Sequence, residues 1–197
     1  MDDIRDRILQ ATARIYAEAG FRGATTRRVA QEAGVNEITL FRHFGTKEAL
    51  VKAALRASGQ HPAPPVELND PEADLTAWAL ATYQHWHDNR QLITQLMSDL
   101  GEHPELAPDI TEAPREEHAG ISRYLERMRE SGLTRTPFQA DAAAGLLLGA
   151  VFAHAMWRDH FARPDMPPVE NVIHEFVRLL LGAIGVRSGK TGPGSAA

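Results

Sequence analysis

The chain has 197 residues, of which 43% are hydrophobic and 24% charged, and it contains no cysteine. This composition is typical of a folded protein of one or two domains, and it excludes disulfide bonds and cysteine-based zinc sites. The net charge of −5 is unevenly divided: residues 1–56 carry ten basic and seven acidic side chains, a net of +3, which leaves −8 for the rest. A basic segment on an acidic chain favours a nucleic-acid partner.

The first ten residues, MDDIRDRILQ, are charged and contain no continuous apolar stretch, so they predict no signal peptide. The longest apolar run, Ala144–Trp157, is shorter than the ~20 residues needed to span a bilayer. We therefore expect a cytoplasmic protein with no membrane partner, in which this run forms a buried or interface helix.

The distribution of proline predicts the domain organisation, because all twelve prolines lie beyond residue 61. A compact domain is expected over 1–57, a proline-rich linker over 58–69, a larger domain over 70–186 and a disordered tail over 187–197. Asp70 followed by Pro71 is typical of a helix start, and Thr136-Pro137 repeats that pattern.

The apolar periodicity predicts an all-α fold, with a small amino-terminal helix-turn-helix domain and a larger carboxyl-terminal helical bundle. The expected helices, about nine in number, cover residues 3–19, 26–33, 37–44, 47–57, 71–88, 90–101, 111–131, 137–162 and 168–185.

Two of these helices, the second and third, are short and joined by a turn at Gly34, which is the helix-turn-helix pattern. Gly20 is expected to end the first helix. Thr25 or Thr26, Asn36 and Thr46 are expected to cap the next three.

The third helix has two different faces. Leu40 and Phe44, four residues apart, share an apolar side, whereas Ile38 and Arg42 lie on the opposite one. An isoleucine that points outward beside an arginine does not contribute to the hydrophobic core. Such a helix fits the major groove of DNA, where arginine can bond guanine and an aliphatic group can contact a thymine methyl.

The run TTRRVAQEAGVNEITLFRHFGTKEAL over residues 25–50, with its lead-in GFRGAT, resembles the signature of the tetracycline-repressor (TetR) family. The resemblance implies a dimeric repressor that binds an operator in double-stranded DNA and responds to a small molecule, without a cofactor. It implies phosphate contacts by Thr26, Arg27, His43 and Lys47, and a base or phosphate contact by Arg28. The residues expected to face the groove are Glu37, Ile38, Thr39 and Arg42, and Phe41 is expected to offer its ring to a sugar or a thymine methyl.

Two of these positions are unusual. Phe41 stands where the family usually has tyrosine, and it lacks the hydroxyl that could donate to a phosphate. Glu37 can accept a hydrogen bond from a cytosine amino group or repel a wrong register.

The larger domain concentrates aromatic, methionine and histidine residues, which are typical both of a helical core and of an apolar ligand pocket. The candidate pocket residues for a small, largely apolar effector are Tyr83, Trp86, His87, Met97, Phe152 and Met156.

Small residues at four-residue spacing predict close packing of the eighth helix against another helix. The resemblance implies dimerisation through the last two long helices. The candidate dimer residues are Gly145, Gly149, Ala153, Phe176 and Leu180.

A helical-bundle enzyme and a partner-binding protein without DNA binding are the alternatives. No histidine has a glutamate three residues before it, no His-x-x-x-His pair occurs, and phosphate-loop, nucleophile-elbow and dinucleotide motifs are absent from the sequence. Glu170 and His174 share a helix face, but two ligands do not make a metal site. We therefore expect no catalytic residues, metal or cofactor.

Overall fold

The computed structural model describes residues 2–59 and 61–186, and in this part of the chain the regular structure is helical. The predicted tail at 187–197 lies outside the described residues. The nine α-helices of the described part are α1 Asp2–Gly23, α2 Thr26–Ala33, α3 Glu37–Phe44, α4 Lys47–Ser58, α5 Pro71–Asp88, α6 Arg90–Asp99, α7 Ala107–Glu130, α8 Ala140–Trp157 and α9 Val169–Ala183. Short 3₁₀ turns at Pro104–Leu106 and Arg158–Phe161 precede α7 and follow α8. The all-α prediction is confirmed.

The chain divides into two compact units. Among the described residues, the first contains those up to His61 together with His85–Glu116, and the second contains Pro62–Gln84 together with residues 117–186. Helices α5 and α7 contribute residues to both units.

The core of the first unit is built from one face of α1 and the inner faces of α2, α3 and α4. Ile8, Ala11 and Ile15 are buried on α1 at the predicted helical spacing. Around them lie Val29, Ala30, Ala33, Leu40, Leu50, Val51 and Leu55, with Leu92 from α6 and Leu106 also in the cluster. Burial of these side chains fixes the positions of the short helices, which would be marginal in isolation.

The predicted helix caps are present in the first unit. Thr25 caps α2 by accepting from the Arg28 amide at 3.3 Å. Asn36 caps α3, and Thr46 caps α4 by accepting from the Ala49 amide at 3.1 Å. Each cap satisfies an amide that the first helical turn leaves without a partner.

The start of α8 differs from the prediction. The helix begins at Ala140, three residues after Pro137. The amides of Arg135 and Thr136 donate instead to the Ile184 carbonyl at the end of α9, both at 3.3 Å. This long-range pairing fixes the backbone before Pro137 against the end of α9.

The proline-rich segment predicted as a linker belongs to the second unit from Pro62 onward. The Trp78 indole donates to the Pro62 carbonyl at 3.3 Å, and Arg127 donates to the Val66 carbonyl at 2.6 Å. Gly120 is buried beneath Pro64, where a Cβ atom would come within 2.5 Å of the proline ring.

Helix α8 has an exposed apolar face. Its outward positions are Ala142, Gly145, Leu146, Gly149, Ala153 and Trp157, which follow one another at helical spacing. Among the described residues, the stretch Ala140–Phe161 is long and apolar enough to cross a membrane, by length and composition alone. A packing helix of a water-soluble protein passes the same test.

Candidate nucleic-acid interface

The turn between α2 and α3 is fixed by a left-handed glycine and by an arginine from α1. Gly34 has a φ of 66°, and its amide donates to the Ala30 and Gln31 carbonyls. The Arg7 guanidinium donates to the Ala33 carbonyl at 2.6 Å. It therefore satisfies a carbonyl that the end of α2 leaves open, and it ties α1 to the helix-turn-helix.

The outward face of α3 is exposed as predicted. Ile38 is 79% exposed, whereas Leu40, two residues away, is fully buried. Phe41 is 44% exposed, and Arg42 and His43 are also exposed. An apolar and cationic surface of this kind has the chemistry to contact base edges in the major groove.

Two acidic residues engage the polar side chains around α3. The Thr26 hydroxyl donates to the Glu37 carboxylate at 3.4 Å, and both residues are half-buried. The Arg28 guanidinium donates to the Glu18 carboxylate of α1 at 2.6 Å. Arg27 is exposed beside them, and Thr39, whose hydroxyl donates to Asn36, is half-buried.

Lys47 lies at the start of α4 with its ammonium above the Phe21 ring, 4.5 Å from the ring centroid. The ammonium also donates to the Arg22 carbonyl at 3.4 Å. Partial burial lowers the pKa of Lys47, and the neighbouring Glu48 carboxylate opposes that change. The side chain is held close to the protein surface.

Three residues that matter for this geometry escape prediction from the sequence: Arg7, Glu18 and Asp99. Arg7 and Glu18 look like ordinary exposed charges of an amphipathic helix, and their partners lie in a different helix. Asp99 accepts a hydrogen bond from the Phe21 amide, 78 residues earlier in the chain, at 2.8 Å. No local pattern identifies a contact of that separation.

The comparisons with known proteins agree with this geometry. Residues 8–54 match the family described as bacterial regulatory proteins, tetR family. Residues 74–185, more than half of the chain, match the carboxyl-terminal domain described as AefR-like transcriptional repressor. The chain belongs to the TetR family. This is a family of DNA-binding transcriptional regulators and not of enzymes.

Proteins of known sequence or structure resemble the chain over most of its length. The chain is 24% identical over 181 residues to an uncharacterized HTH-type transcriptional regulator, YvkB, of Bacillus subtilis strain 168, covering 90% of this chain and 95% of that protein. A TetR-family regulator from Rhodococcus sp. matches with a TM-score of 0.73 at 18% identity, covering 94% of this chain and all of that one. The flavonoid-responsive regulator FrrA matches with a TM-score of 0.69 at 22% identity, covering 93% and 97%.

The predicted effector residues of this TetR-family protein fall into both compact units. In the second unit, Tyr83 is buried with its ring 5.6 Å from that of His154, and Phe152 and Met156 are half-buried on α8. His154 in turn lies 5.8 Å from the Phe176 ring. This aromatic cluster of Tyr83, His154 and Phe176 includes one residue, His154, that the sequence did not single out.

The other three predicted effector residues belong to the first unit. Trp86 is buried near His61, with ring centroids 6.4 Å apart, and His87 is half-buried. Met97 is 59% exposed on α6.

The predicted dimer residues differ in exposure. Gly145, Gly149 and Ala153 lie on the exposed face of α8, and Phe176 is half-buried. Leu180 is buried in the core of the second unit, whereas its neighbour Leu179 is 59% exposed.

Proposed function

We propose that this TetR-family protein is a ligand-responsive cytoplasmic repressor that binds a pseudo-palindromic operator as a homodimer. The outward face of α3 carries the proposal, because Ile38 and Arg42 are exposed on a helix whose other side is buried. Two such helices in a dimer would enter major grooves ~34–36 Å apart or a multiple of that distance, and the two-fold symmetry of the dimer makes the operator pseudo-palindromic.

The residues on and around α3 suggest a division of roles on DNA. Arg42 is proposed to bond a guanine edge and Ile38 to contact a thymine methyl, while Lys47 bonds a phosphate. Glu37 would accept from a cytosine amino group. The remaining proposed contacts, to backbone or groove, are those of Thr26, Arg27, Arg28, Thr39, Phe41 and His43.

The dimer is proposed to form through the exposed apolar face of α8 together with α9. The small residues Gly145, Gly149 and Ala153 would let a partner helix approach closely, and Leu146 and Leu179 would supply apolar area. Burial of apolar surface is the main favourable term in association. Phe176 can contribute at the edge of this surface, and Leu180 would support it from the core.

A small, largely apolar effector is proposed to bind at the aromatic cluster of the second unit. Tyr83 and His154 offer polar groups that orient a ligand, and Phe152 and Met156 offer apolar contact. FrrA, which has the same fold, is a flavonoid-responsive regulator. Trp86 and His87 of the first unit remain candidates by the sequence argument.

The DNA contacts can be tested by selecting duplexes from a random library with the purified protein and titrating the best sequence. We expect a palindromic sequence. Arg42→Ala should weaken binding by about 1–3 kcal/mol and relax the preference at one base pair per half-site. Lys47→Ala should weaken all sequences alike and flatten the dependence of log Kd on log salt by ~1 for each phosphate that the protein no longer neutralises.

Arg56→Ala serves as the control, because it removes an exposed cation of α4 far along the helix from Lys47. The assigned roles would be wrong if Lys47→Ala altered base preference while Arg42→Ala did not. The partner-binding alternative would be favoured if the purified protein enriches no sequence and its affinity for duplex DNA is no higher than that of an acidic reference protein.

A further inference from the structure

Helix α6 is fastened to the end of α1 through Asp99. One carboxylate oxygen of Asp99 accepts from the Phe21 amide at 2.8 Å. The other accepts from the Gln95 amide group at 3.1 Å. Two donors from two helices therefore hold this carboxylate in one orientation.

The break in α1 at Gly20 is shaped for this contact. Gly20 has φ 66° and ψ −172°, a conformation essentially restricted to glycine. A Cβ atom there would lie 2.5 Å from the Gln95 side-chain nitrogen and 3.1 Å from an Asp99 oxygen. The glycine thus supplies both the backbone conformation and the space that bring the Phe21 amide to Asp99.

The Phe21 ring held by this contact supports Lys47. The Lys47 ammonium lies 4.5 Å from the ring centroid, within the range of a cation–π interaction, and donates to the carbonyl of the next residue, Arg22. Asp99, Phe21 and Lys47 therefore form one connected series of contacts from α6 to the surface at the start of α4.

We propose that Asp99 is a positioning residue for DNA binding, which sets the place of the Lys47 ammonium through Phe21. This proposal rests on the proposed phosphate contact of Lys47. It makes a prediction of unusual sign, because removing an acidic residue from a DNA-binding unit ordinarily strengthens binding through the weaker repulsion of phosphate. Loss of Asp99 should weaken it.

The test uses the full-length protein and the labelled duplex selected by the wild type, titrated over a range of salt concentrations. Asp99→Ala should weaken binding on the order of tenfold, the effect of one charge-assisted contact, and flatten the salt dependence by ~1 per protomer. Asp99→Asn keeps an oxygen that can accept from the Phe21 amide and should restore both quantities. Lys47→Met should reproduce the Asp99→Ala loss, and the double variant should be no weaker than Lys47→Met alone.

Glu102→Ala is the matched control. Glu102 follows α6 and pairs with the exposed Arg22 at 3.2 Å, so its removal makes the same change in charge without touching the Phe21 amide. It should leave DNA binding unchanged or slightly tighter. If Asp99→Ala does not fold by circular dichroism, Phe21→Leu takes its place, since it removes the ring beneath Lys47 and keeps an apolar side chain.

The proposal is overturned if Asp99→Ala keeps the wild-type salt dependence while Lys47→Met loses it, or if the two losses add in the double variant. A Lys47→Met variant with wild-type affinity and salt dependence would instead remove the phosphate contact itself from the proposed function, and the role of Asp99 with it.

Discussion

At the scale of single residues, His154 makes a hydrogen bond that depends on the charge of its ring. The Arg158 guanidinium donates towards the His154 Nε2 at 3.0 Å, which requires a lone pair on that nitrogen and therefore a neutral ring. Burial, and secondly the charge of Arg158, lower the pKa of His154 below its ordinary value of 6.5. The folded protein thus binds a proton at this ring less readily than the unfolded chain does.

This difference predicts a dependence of stability on pH. The contribution of the neutral His154 ring to the free energy of unfolding is complete above the unfolded pKa of about 6.5. It is lost as the pH falls towards the lower folded pKa, because the unfolded chain then holds more protons than the folded protein does. We expect the decrease in Tm between about pH 7.5 and pH 5.5 to be smaller in His154→Gln than in the wild type. The control is His160→Gln at an exposed ring; an equal change in both variants would contradict the assignment to His154.

At the scale of helices, α3 depends on its cap. The Asn36 side-chain oxygen accepts from the Thr39 amide at 2.8 Å and from the Thr39 hydroxyl at 2.9 Å. Asn36→Ala should lower the free energy of unfolding by ~1 kcal/mol and weaken DNA binding, because the proposed recognition helix frays at its first turn. Chemical denaturation and DNA titration measure the two effects.

Asn36→Asp separates capping from charge. Aspartate caps a helix as well as asparagine does, so the free energy of unfolding should stay near the wild-type value. The added negative charge at the exposed start of α3 should still weaken DNA binding. Wild-type affinity in Asn36→Asp would argue that this end of α3 does not approach DNA.

The helices and caps of the first unit follow from local rules, and this explains why they could be predicted. Thr25, Asn36 and Thr46 each act on an amide three residues away, and the buried positions of α1 recur at helical spacing. The start of α8 could not be predicted in the same way, because the backbone before it is placed by a contact of Thr136 with a carbonyl at residue 184.

The features of the proposed sites likewise divide into those that local rules predict and those that depend on long-range packing. The exposure of Ile38 and Arg42 follows from the helical period, since Leu40 must face the core. The contacts of Arg28 with Glu18 and of Phe21 with Asp99 depend on how separate helices pack. For the effector, composition indicated aromatic residues but could not show that Tyr83 lies beside His154 while Met97 is exposed.

At the scale of the whole molecule, the exposed face of α8 predicts the assembly. A Cβ atom added at Gly149 would meet nothing within 4 Å in the protomer, and Gly149 lies on the exposed face of α8, so Gly149→Leu starts into open space and gains helix propensity. In the proposed dimer the same side chain blocks the close approach of the partner helix. We expect a dimeric wild type and a monomeric or weakened Gly149→Leu by analytical ultracentrifugation.

Ala81→Leu provides the matched control, because it enlarges an exposed small residue on a different helix, α5. It should leave the dimer unchanged. A Gly149→Leu variant that stays dimeric and binds DNA normally would remove Gly149 from the interface. A wild type that sediments with membranes and needs detergent for extraction would favour a lipid-facing role for α8.

The effector proposal predicts a coupled response. A compound that releases the wild type from DNA should do so through a coupling of about 1–3 kcal/mol, which is roughly 5- to 150-fold in affinity. Tyr83→Phe and Phe152→Ala should fold and bind DNA, yet need more compound for release. Met97→Ala is the exposed control, and normal release from both pocket variants would place the effector elsewhere.

The ion pair between Glu18 and Arg28 has a consequence for how the protein would find its operator. In the proposed complex, a DNA phosphate approaching Arg28 must replace a carboxylate that already binds it at 2.6 Å. That exchange weakens the hold on every duplex, whatever its sequence, and leaves the base contacts of Arg42 untouched. A genome offers about 10⁶–10⁹ competing sites, so brief stays at wrong sites shorten the search. Glu18 would thus speed the search for the operator by shortening the protein's stay at each wrong site.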